Sequence, residues 1–328
     1  MISRSRIVCG AFELLFPATR MDRLNILSFH RIVQEADPLR PAEPTADELD
    51  RLMGDVRGAF NTIPLSEAVE RLRLGSLPPR ALSITFDDGY GDNARLAAPI
   101  LKSHGLPATV FVATGFIDNV RMMWNDIIVE TIRTLRDEEL DLGCLGLGCH
   151  RIGTFEEKRA AIAFLLPRIK HLPADQRAGV IARFQLQVPP HEPLPSDLMM
   201  TSQEIRGLAP YGFEVGAHTV SHPILKVLDP VDAYNEIRDS KLALEGLLDE
   251  KVQLFAYPNG RPTEDYDRAI RDMLPEIGFI GAVNTALGVS CSASDRYQLP
   301  RFTPWRRSRS QFLPSLLWMR RNIYQPEF

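Results

Sequence analysis

The sequence contains few cysteines, no long apolar run and little net charge. Its four cysteines, Cys9, Cys144, Cys149 and Cys291, are too few and too irregularly spaced for the disulfide framework of a small secreted domain. No segment reaches the roughly 20 apolar residues that a membrane-spanning helix needs. Because 38 lysines and arginines nearly balance 42 aspartates and glutamates, nucleic acid is not expected as a partner.

A cleavable export signal is also poorly supported. The nearest candidate is the apolar segment Ile7–Pro17, which follows Arg4 and Arg6, but Glu13 interrupts it and no small-residue cleavage site follows. We therefore expect a cytoplasmic protein that begins with a helix over residues 1–23. The alternative is that this segment is an atypical export signal or anchor, in a protein associated with a membrane.

The last segment, residues 305–328, is basic and amphipathic. From position 301 onward the single acid is Glu327, against six arginines: Arg301, Arg306, Arg307, Arg309, Arg320 and Arg321. Apolar residues such as Leu316 and Trp318 are interleaved with them, so the segment could make a peripheral contact with an anionic membrane. A helix that packs on the protein body with its arginines facing outward is the simpler alternative.

The chain is 45% hydrophobic, and its short apolar runs alternate with amphipathic stretches. Strands are predicted at Leu24–Phe29, Ala81–Phe86, Ala108–Ala113, Phe213–Ala217 and Val252–Tyr257. Helices are predicted after the capping-box pair Thr45 and Glu48, over Asn93–His104 up to Gly105, and over Val231–Leu248. This order favours an α/β fold, either a β/α barrel or a parallel sheet.

The alternation of strands and helices is lost between about residues 116 and 200. A Gly- and Cys-containing segment, Leu142–Cys149, is followed there by a helical stretch from Phe155 to about Phe184. We interpret this part as an insertion on the rim of a main domain that spans residues 24–304. Cys144, Cys149 and His150 are expected to lie in a hairpin as free thiols and an ordinary histidine, since they lack a nearby fourth ligand for a second metal site.

Two adjacent carboxylates follow the second predicted strand, in Thr85-Phe86-Asp87-Asp88-Gly89-Tyr90. Active sites of parallel α/β proteins lie at the carboxyl ends of their strands. Adjacent residues at a strand end can point in different directions, so one carboxylate can bind a metal while the other accepts a proton. Taken alone, the pair is also compatible with an ordinary Asp-Asp-Gly turn.

Two histidines follow a later strand, in His218-Thr219-Val220-Ser221-His222-Pro223. In a helical turn the four-residue spacing would place both rings on one face. Two imidazoles and one carboxylate are a common catalytic ligand set for a divalent metal. Because the Asp-Asp motif supplies the carboxylate that the histidines lack, the two motifs together favour a metal site over two structural histidines.

A third strand ends in Phe255-Ala256-Tyr257-Pro258-Asn259-Gly260. A backbone amide in such a Pro-Gly turn can remain unpaired and stabilise a developing oxyanion. A plain turn is the simpler interpretation of this segment alone.

Taken in order, these motifs resemble those of the polysaccharide deacetylase family, which includes the nodulation-type chitooligosaccharide deacetylases of carbohydrate esterase family 4. The Thr-Phe-Asp-Asp-Gly-Tyr and His-Ser/Thr-x-x-His-Pro signatures match at Thr85–Tyr90 and His218–Pro223, and the resemblance covers roughly Leu24–Pro304. It implies a distorted (β/α) barrel with a rim insertion. It also implies one divalent metal, most often zinc, and removal of N-acetyl groups from amino sugars.

Carried over residue by residue, the resemblance implies that Asp88, His218 and His222 hold the metal. It implies that Asp87 is the general base and that the Tyr257 backbone N–H helps to hold the oxyanion. The chemistry requires the same division of roles, because an amide needs a Lewis acid to polarise it and a base to take a proton from water.

One feature departs from the larger branch of the family, in which a C-terminal Leu-x-His motif supplies the general acid. No histidine follows His222 in this chain. His30, which ends the first predicted strand, resembles the N-terminal Tyr-His element of the poly-N-acetylglucosamine deacetylase branch, where the motif order is permuted. We assign His30 as the acid, with an ordinary rim histidine as the alternative.

Four further residues are assigned by analogy or by chemistry. Arg301, in a predicted final strand, is expected beside Asp87, where the family places an arginine; a surface arginine is the alternative. Trp124 and Asp126 would supply a stacking ring and polar contacts to sugar hydroxyls, or would simply anchor the insertion. Asn259 is a third expected substrate contact.

The combined expectation is a metal-dependent hydrolase that deacetylates an amino sugar in polysaccharide or exopolysaccharide metabolism, with an acetylated oligo- or polysaccharide as its substrate. Two alternatives remain open. A small-molecule amidohydrolase could use the same scaffold, because the metal ligands do not demand a sugar. A non-catalytic glycan-binding or assembly protein would explain the displaced acid.

Overall fold

The computed structural model describes residues 22–304, 311–326 and 328, together with Gly10 and Leu14. The helix expected over residues 1–23 therefore lies almost wholly outside the described residues. The chain divides into two compact units. The insertion unit comprises Ala36–Pro41 and Asn119–Leu198, and the insertion was predicted at about residues 116–200. The barrel unit comprises the other described residues.

The described strands are β1 (Leu24–Phe29), β2 (Asn61–Thr62), β3 (Ala81–Phe86), β4 (Ala108–Val112), β5 (Glu139–Asp141), β6 (Cys149–Arg151), β7 (Phe213–Ala217), β8 (Leu254–Ala256) and β9 (Gly281–Val283). The described α-helices are α1 (Ala46–Ala59), α2 (Leu65–Arg73), α3 (Ala98–His104), α4 (Trp124–Thr134), α5 (Phe155–Lys170), α6 (Ala174–Gln187), α7 (Ser202–Arg206), α8 (Pro230–Leu248), α9 (Arg268–Ile277) and α10 (Phe312–Met319).

The barrel unit is a curled parallel sheet surrounded by helices. Its strands follow the order β1-β3-β4-β7-β8-β9, and β2 pairs with β3. Residues 299–302 close this sheet: Leu299 bridges Val283 of β9, and Phe302 bridges Leu27 of β1. The sheet is therefore a distorted barrel, and the predicted fold is confirmed. The expected final strand is an extended segment that makes these two single bridges.

Successive side chains along each strand point alternately into the barrel interior and toward the surrounding helices. Ile26, Phe111 and Val283 lie in one interior cluster with the apolar face of α2, which fills the end of the barrel opposite the strand C-termini. Glu214 of β7 accepts hydrogen bonds from the Ser66 backbone N–H of α2 (3.2 Å) and from Thr109 Oγ1 (3.1 Å). Because the barrel interior is packed and α2 closes one end, a substrate site is expected at the other end, where the strands have their carboxyl termini.

Helix boundaries follow local chemistry closely. Thr45 and Glu48 form the predicted capping box at the start of α1. The helix predicted from Asn93 opens with a π-helical turn before α3, because Pro99 lacks the N–H that a regular helix would use there, and it ends at left-handed Gly105. The helical stretch predicted from Phe155 is two helices, α5 and α6, with Pro173 at the start of the second.

The insertion unit has its own apolar core and a two-stranded sheet. Strands β5 and β6 form an antiparallel hairpin, and Cys144 and Cys149 are exposed free thiols in it. The His150 ring nitrogen Nε2 lies 2.8 Å from the Leu147 carbonyl oxygen. Within the described residues, the group of three potential metal ligands that the structure brings together is a different one.

Helix α10 packs on the barrel unit through its apolar side chains, Phe312, Leu313, Leu316 and Leu317, which are buried. The expectation that the C-terminal arginines all face outward is wrong. Arg301 and Arg320 are buried, and Arg320 donates to the Asn25 side-chain oxygen at 2.5 Å. Arg306, Arg307 and Arg309 lie outside the described residues, and nothing in the described part supports a membrane contact.

Among the helices that the structure describes, none combines the length and the apolar character required to cross a membrane.

Candidate metal centre

Strand register brings the first strand end and the Asp-Asp motif together. Strands β1 and β3 pair in parallel with Phe29 opposite Phe86, so His30 and Asp87 follow paired residues. The Asp87 N–H donates to the Phe29 carbonyl at 2.9 Å. Asp88 and Gly89 have φ values of 74° and 85°, and a Cβ added at Gly89 would approach Val112 to 3.0 Å. This sharp turn directs the two carboxylates differently, as the motif predicts.

The histidine motif reaches the same place through β4 and β7. Ala217, the last residue of β7, pairs with Val112 at the end of β4, and the His218 N–H donates to the Val112 carbonyl at 3.1 Å. The residue that follows β4, Ala113, donates its N–H to the Asp88 carbonyl at 3.3 Å. The end of β4 therefore joins the two motifs through backbone hydrogen bonds.

Asp88, His218 and His222 form one cluster whose potential ligand atoms lie within 4.8 Å of one another. Asp88 Oδ1 is 3.4 Å from His218 Nε2 and 3.3 Å from His222 Nε2. This buried oxygen accepts no well-formed hydrogen bond from the described residues. An orphaned carboxylate oxygen that faces two ring nitrogens fits a divalent cation, which these three atoms could hold.

Hydrogen bonding and burial prepare the two rings for ligation. His218 Nδ1 lies 2.7 Å from the Ala256 carbonyl oxygen, which requires a proton on Nδ1 and leaves the lone pair on Nε2. Burial lowers the pKa of His222 to about 4, so this ring is neutral near pH 7. Although burial opposes it, the facing imidazoles hold the pKa of Asp88 below its usual range.

The pKa of His218 is shifted in the opposite direction. Burial lowers this pKa, but the Asp88 and Asp87 carboxylates raise it more, so the net pKa lies above that of an ordinary histidine. A proton and a metal ion therefore compete for His218 Nε2.

The two histidines are not on a helix, contrary to the spacing argument. They lie in the loop that follows β7, and both Thr219 and His222 have positive φ values, 65° and 54°. The Thr219 hydroxyl accepts a hydrogen bond from the His222 N–H at 3.1 Å. This loop, rather than a helical turn, brings the ring centroids to 4.8 Å from each other.

Arg301 lies against Asp87, as expected. Its Nη1 and Nη2 atoms donate to Asp87 Oδ1 and Oδ2 at 2.7 and 2.6 Å. Its Nε atom donates to the Asn284 carbonyl, Nη1 also donates to Thr85 Oγ1, and the guanidinium is buried. Burial alone would raise the pKa of Asp87, but the Arg301 charge and hydrogen bonds lower it below the ordinary value.

Replacing Arg301 by methionine should move the acidic limb of the kcat/KM–pH profile to higher pH. In the wild type, the low pKa of Asp87 keeps the carboxylate ionised. Without the guanidinium, burial is opposed only by the weaker attraction of His218 and His30. The pKa of Asp87 therefore rises, and the carboxyl group is protonated over a wider pH range. We expect kcat/KM at neutral pH to fall by about 10²-fold.

Arg271→Met is the matched control for this measurement, since Arg271 also binds a carboxylate in a bidentate manner outside the cluster. Its Nε and Nη2 atoms each donate to Asp295 at 2.9 Å. It should leave the pH profile unchanged. An acidic limb that stays in place in Arg301→Met would show that Arg301 does not set the ionisation of Asp87.

His30 lies at the open side of the cluster. Its Nε2 is 3.9 Å from Asp87 Oδ2, and 44% of its side chain is exposed, compared with 3% for Asp87. A buried carboxylate and an accessible imidazole on neighbouring strand ends could act on the same small group. The arrangement suits a pair in which one residue takes a proton and the other gives one.

The residues that hold His30 were missed in the sequence. Asn93 Nδ2 donates to the His30 carbonyl at 2.8 Å, and the Asp92 carboxylate accepts from Arg31 Nε (2.9 Å) and the Ile32 N–H (3.1 Å). The pair Asp92–Asn93 follows the Asp-Asp-Gly-Tyr motif after a single residue, Gly91, and this closeness is the signal in the sequence that could have identified it.

The expectation of an unpaired amide at Tyr257 is wrong. Its N–H donates to the Val283 carbonyl at 3.2 Å, and its hydroxyl donates to the Tyr297 carbonyl at 2.9 Å. Strands β8 and β9 pair up to this residue, so the sheet uses the donor. Asn259 lies in the following turn with φ 60°, and its carbonyl accepts from Thr285 Oγ1 at 2.9 Å.

Trp124 and Asp126 lie at the start of α4 in the insertion unit. The Arg177 guanidinium stands 5.7 Å from the Trp124 ring centroid. Asp126 is fully buried, and its Oδ1 accepts from Arg40 Nη2 at 2.6 Å. These are internal contacts of the insertion unit, and a sugar contact from either residue stays a prediction.

Comparisons with known proteins agree on one family. The family model described as polysaccharide deacetylase matches residues 75–162 and 181–279, more than half of the chain. YxkH of Bacillus subtilis (strain 168), which is assigned provisionally to the polysaccharide deacetylases, is 21% identical over 280 residues, covering 85% of this chain and 70% of YxkH.

Solved structures show the same fold. The Streptococcus pyogenes deacetylase PplD, in complex with acetate, is similar with a TM-score of 0.61 and 19% identity, covering 91% of this chain and 98% of PplD. IcaB from Ammonifex degensii has a TM-score of 0.57 and 17% identity, covering 92% of this chain and 98% of IcaB. The family match, together with the Asp-Asp and His-His motifs assembled at one barrel end, shows that the chain belongs to the polysaccharide deacetylase family and is a hydrolase of non-peptide carbon–nitrogen bonds that deacetylates an acetylated amino sugar.

Proposed function

We propose that Asp88, His218 and His222 hold one divalent cation, zinc by the chemistry of the donor set, and that the substrate is an N-acetylated glycan of exopolysaccharide metabolism. The observation that carries the proposal is the orphaned Asp88 Oδ1, which lies within 3.4 Å of both ring nitrogens. One carboxylate with two imidazoles is typical of catalytic zinc. When bound, such a cation supplies Lewis-acid polarisation of the amide carbonyl and makes water nucleophilic near neutral pH.

Asp87 is the base in this proposal. It accepts the proton of the water whose oxygen adds to the carbonyl carbon. The bidentate contact with Arg301 holds both carboxylate oxygens, and each retains a lone pair for this proton. The lowered pKa makes Asp87 a weak base but keeps its carboxylate fully ionised, so the carboxylate can accept a proton in every catalytic cycle.

His30 is the acid that protonates the amine nitrogen as the carbon–nitrogen bond breaks. Its exposed imidazole lies on the same side as Asp87 Oδ2, within 3.9 Å of the base. The products are acetate and the free amine, and solvent then restores both protonation states. Because the Tyr257 N–H is already bound to Val283, its contribution to holding the oxyanion would require this ladder hydrogen bond to open.

Acetate release tests the proposal. The purified protein, loaded with zinc, should release acetate from N-acetylglucosamine oligomers, and removal of the metal by a chelator should abolish the release. Release from small amides alone would instead support the amidohydrolase. Metal-loaded protein that releases acetate from neither class would contradict the catalytic assignment.

His30→Ala should lower kcat by about 10²-fold with the metal retained, because the amine leaves poorly without a proton. The loss should be much smaller on an activated aryl ester, whose leaving group needs no proton. His104→Ala is the matched control, since His104 also faces a carboxylate, Asp50, at 2.8 Å, but lies outside the cluster. An equal loss on amide and ester would show that His30 does not act as the acid.

A further inference from the structure

Glu236 accepts every polar hydrogen offered by the centre of the histidine loop. This residue lies on α8, and its Oε2 atom accepts from the Val220 N–H at 2.9 Å and from the Ser221 N–H at 2.8 Å. Its Oε1 atom accepts from Ser221 Oγ at 2.7 Å. One carboxylate therefore satisfies three donors that lie between the two metal-facing histidines.

The opposite side of the same loop is bound to the segment that follows β4. The Thr114 N–H donates to the Thr219 carbonyl at 3.1 Å, and the Gly115 N–H donates to the Val220 carbonyl at 2.8 Å. Two loop carbonyls are thus held by backbone N–H groups that follow β4, and two loop N–H groups are held by Glu236. A backbone segment bound on both sides has little freedom to move.

The loop needs such support because its backbone is in a sparsely populated conformation. Thr219 (φ 65°) and His222 (φ 54°) both have left-handed backbones, which cost free energy for residues other than glycine. Without a compensating contact, the segment would relax toward ordinary φ values. Relaxation at His222 would move its ring away from Asp88 Oδ1.

We propose that Glu236 is a positioning residue that holds the loop between His218 and His222 in the conformation that binds the metal. It acts through the Val220 and Ser221 backbone rather than through a ligand, so it would set metal affinity and ligand geometry without touching the substrate. The inference rests on the proposed metal site. Nothing in the sequence singled out this glutamate from the other charged residues of α8.

The test compares three variants of the full chain, each measured for zinc affinity by competition with a chromophoric chelator and for the visible spectrum of the cobalt(II)-loaded protein. Glu236→Ala should weaken zinc binding by about 10- to 100-fold and change the cobalt spectrum, as loss of groups that orient ligands does. Glu236→Gln should restore both, because its amide oxygen can accept the two N–H groups and its NH₂ can donate to Ser221 Oγ.

Glu245→Ala is the matched control. Glu245 lies on the same helix, is also partly buried, and accepts from Lys241 Nζ (2.8 Å) and the Val252 N–H (3.1 Å), away from the loop. This variant should lose stability but keep the wild-type affinity and spectrum. If Glu236→Ala does not fold, Ser221→Ala carries the test and should weaken binding to a smaller degree.

Unchanged affinity and spectrum in Glu236→Ala, or in Ser221→Ala if that variant is the one available, would overturn the positioning role. An equal loss in Glu245→Ala would also overturn it, since the effect would then be general destabilisation. A wild-type protein that binds no zinc would refute the metal site itself. The two failures can be told apart. If the positioning role alone is wrong, the wild type binds zinc and the Glu236 variants bind it equally well.

Discussion

His222→Ala is expected to abolish metal binding and turnover together. The variant leaves only Asp88 Oδ1 and His218 Nε2 facing the site, because His222 Nε2 is the third of the three potential ligand atoms. Two protein ligands hold a divalent cation far more weakly than three. Elemental analysis of purified protein should find about one divalent ion per chain in the wild type and almost none in the variant.

His150→Ala is the control for this experiment. His150 lies in the same hairpin as the exposed thiols Cys144 and Cys149, which are also potential metal ligands. The control should retain the wild-type metal content. Metal lost from His150→Ala but kept in His222→Ala would place the ion at the thiols and contradict the assignment to Asp88, His218 and His222.

Asp87→Asn is expected to lower kcat by about 10³-fold while the metal stays bound. The amide has nearly the same shape as the carboxylate but cannot take a proton from water. Asp87 is not one of the three cluster residues, so the metal content should not change. Turnover on the glycan substrate and elemental analysis of the same sample provide the measurement.

This substitution also has a cost in stability. Arg301 is buried with only 1% of its side chain exposed, and in the variant its charge faces a neutral amide. Breaking a buried ion pair costs about 3–5 kcal/mol, so circular dichroism should confirm that the assayed protein is folded. Asp295→Asn breaks the corresponding pair with Arg271 outside the cluster and should keep full turnover. Wild-type turnover in folded Asp87→Asn would remove Asp87 as the base.

The parts of the fold that depend on neighbours in the chain were predictable. The predicted strand Leu24–Phe29 has the observed bounds, as does Ala81–Phe86, because apolar runs that stop at a charged or polar residue define strand ends. The capping box at Thr45 was visible for the same reason. The position of His30 beside Asp87 followed from these two strand ends once their parallel register was known.

The shape of the histidine loop was not predictable. A four-residue spacing is compatible with a helical turn or with a loop, and the choice depends on Glu236, Thr114 and Gly115, which lie elsewhere in the chain. The hydrogen bond from the Tyr257 N–H to the Val283 carbonyl was not predictable either, since it depends on how far the pairing of β8 with β9 extends. Spacing along a sequence does not contain this information.

The sequence by itself determined the residue types of the site and the strand ends that carry them, because both are local: Asp87 and Asp88 are adjacent, and His218 and His222 lie in one short motif. The family resemblance, and no local pattern, implied that Arg301 lies beside Asp87, and the tertiary structure makes that contact across 214 positions. Only the tertiary structure decided that Arg320 turns inward toward Asn25. Closure of the barrel by residues 299–302 brings Arg301 to that place. Such contacts depend on burial and on pairing between distant segments, and a local pattern cannot specify either.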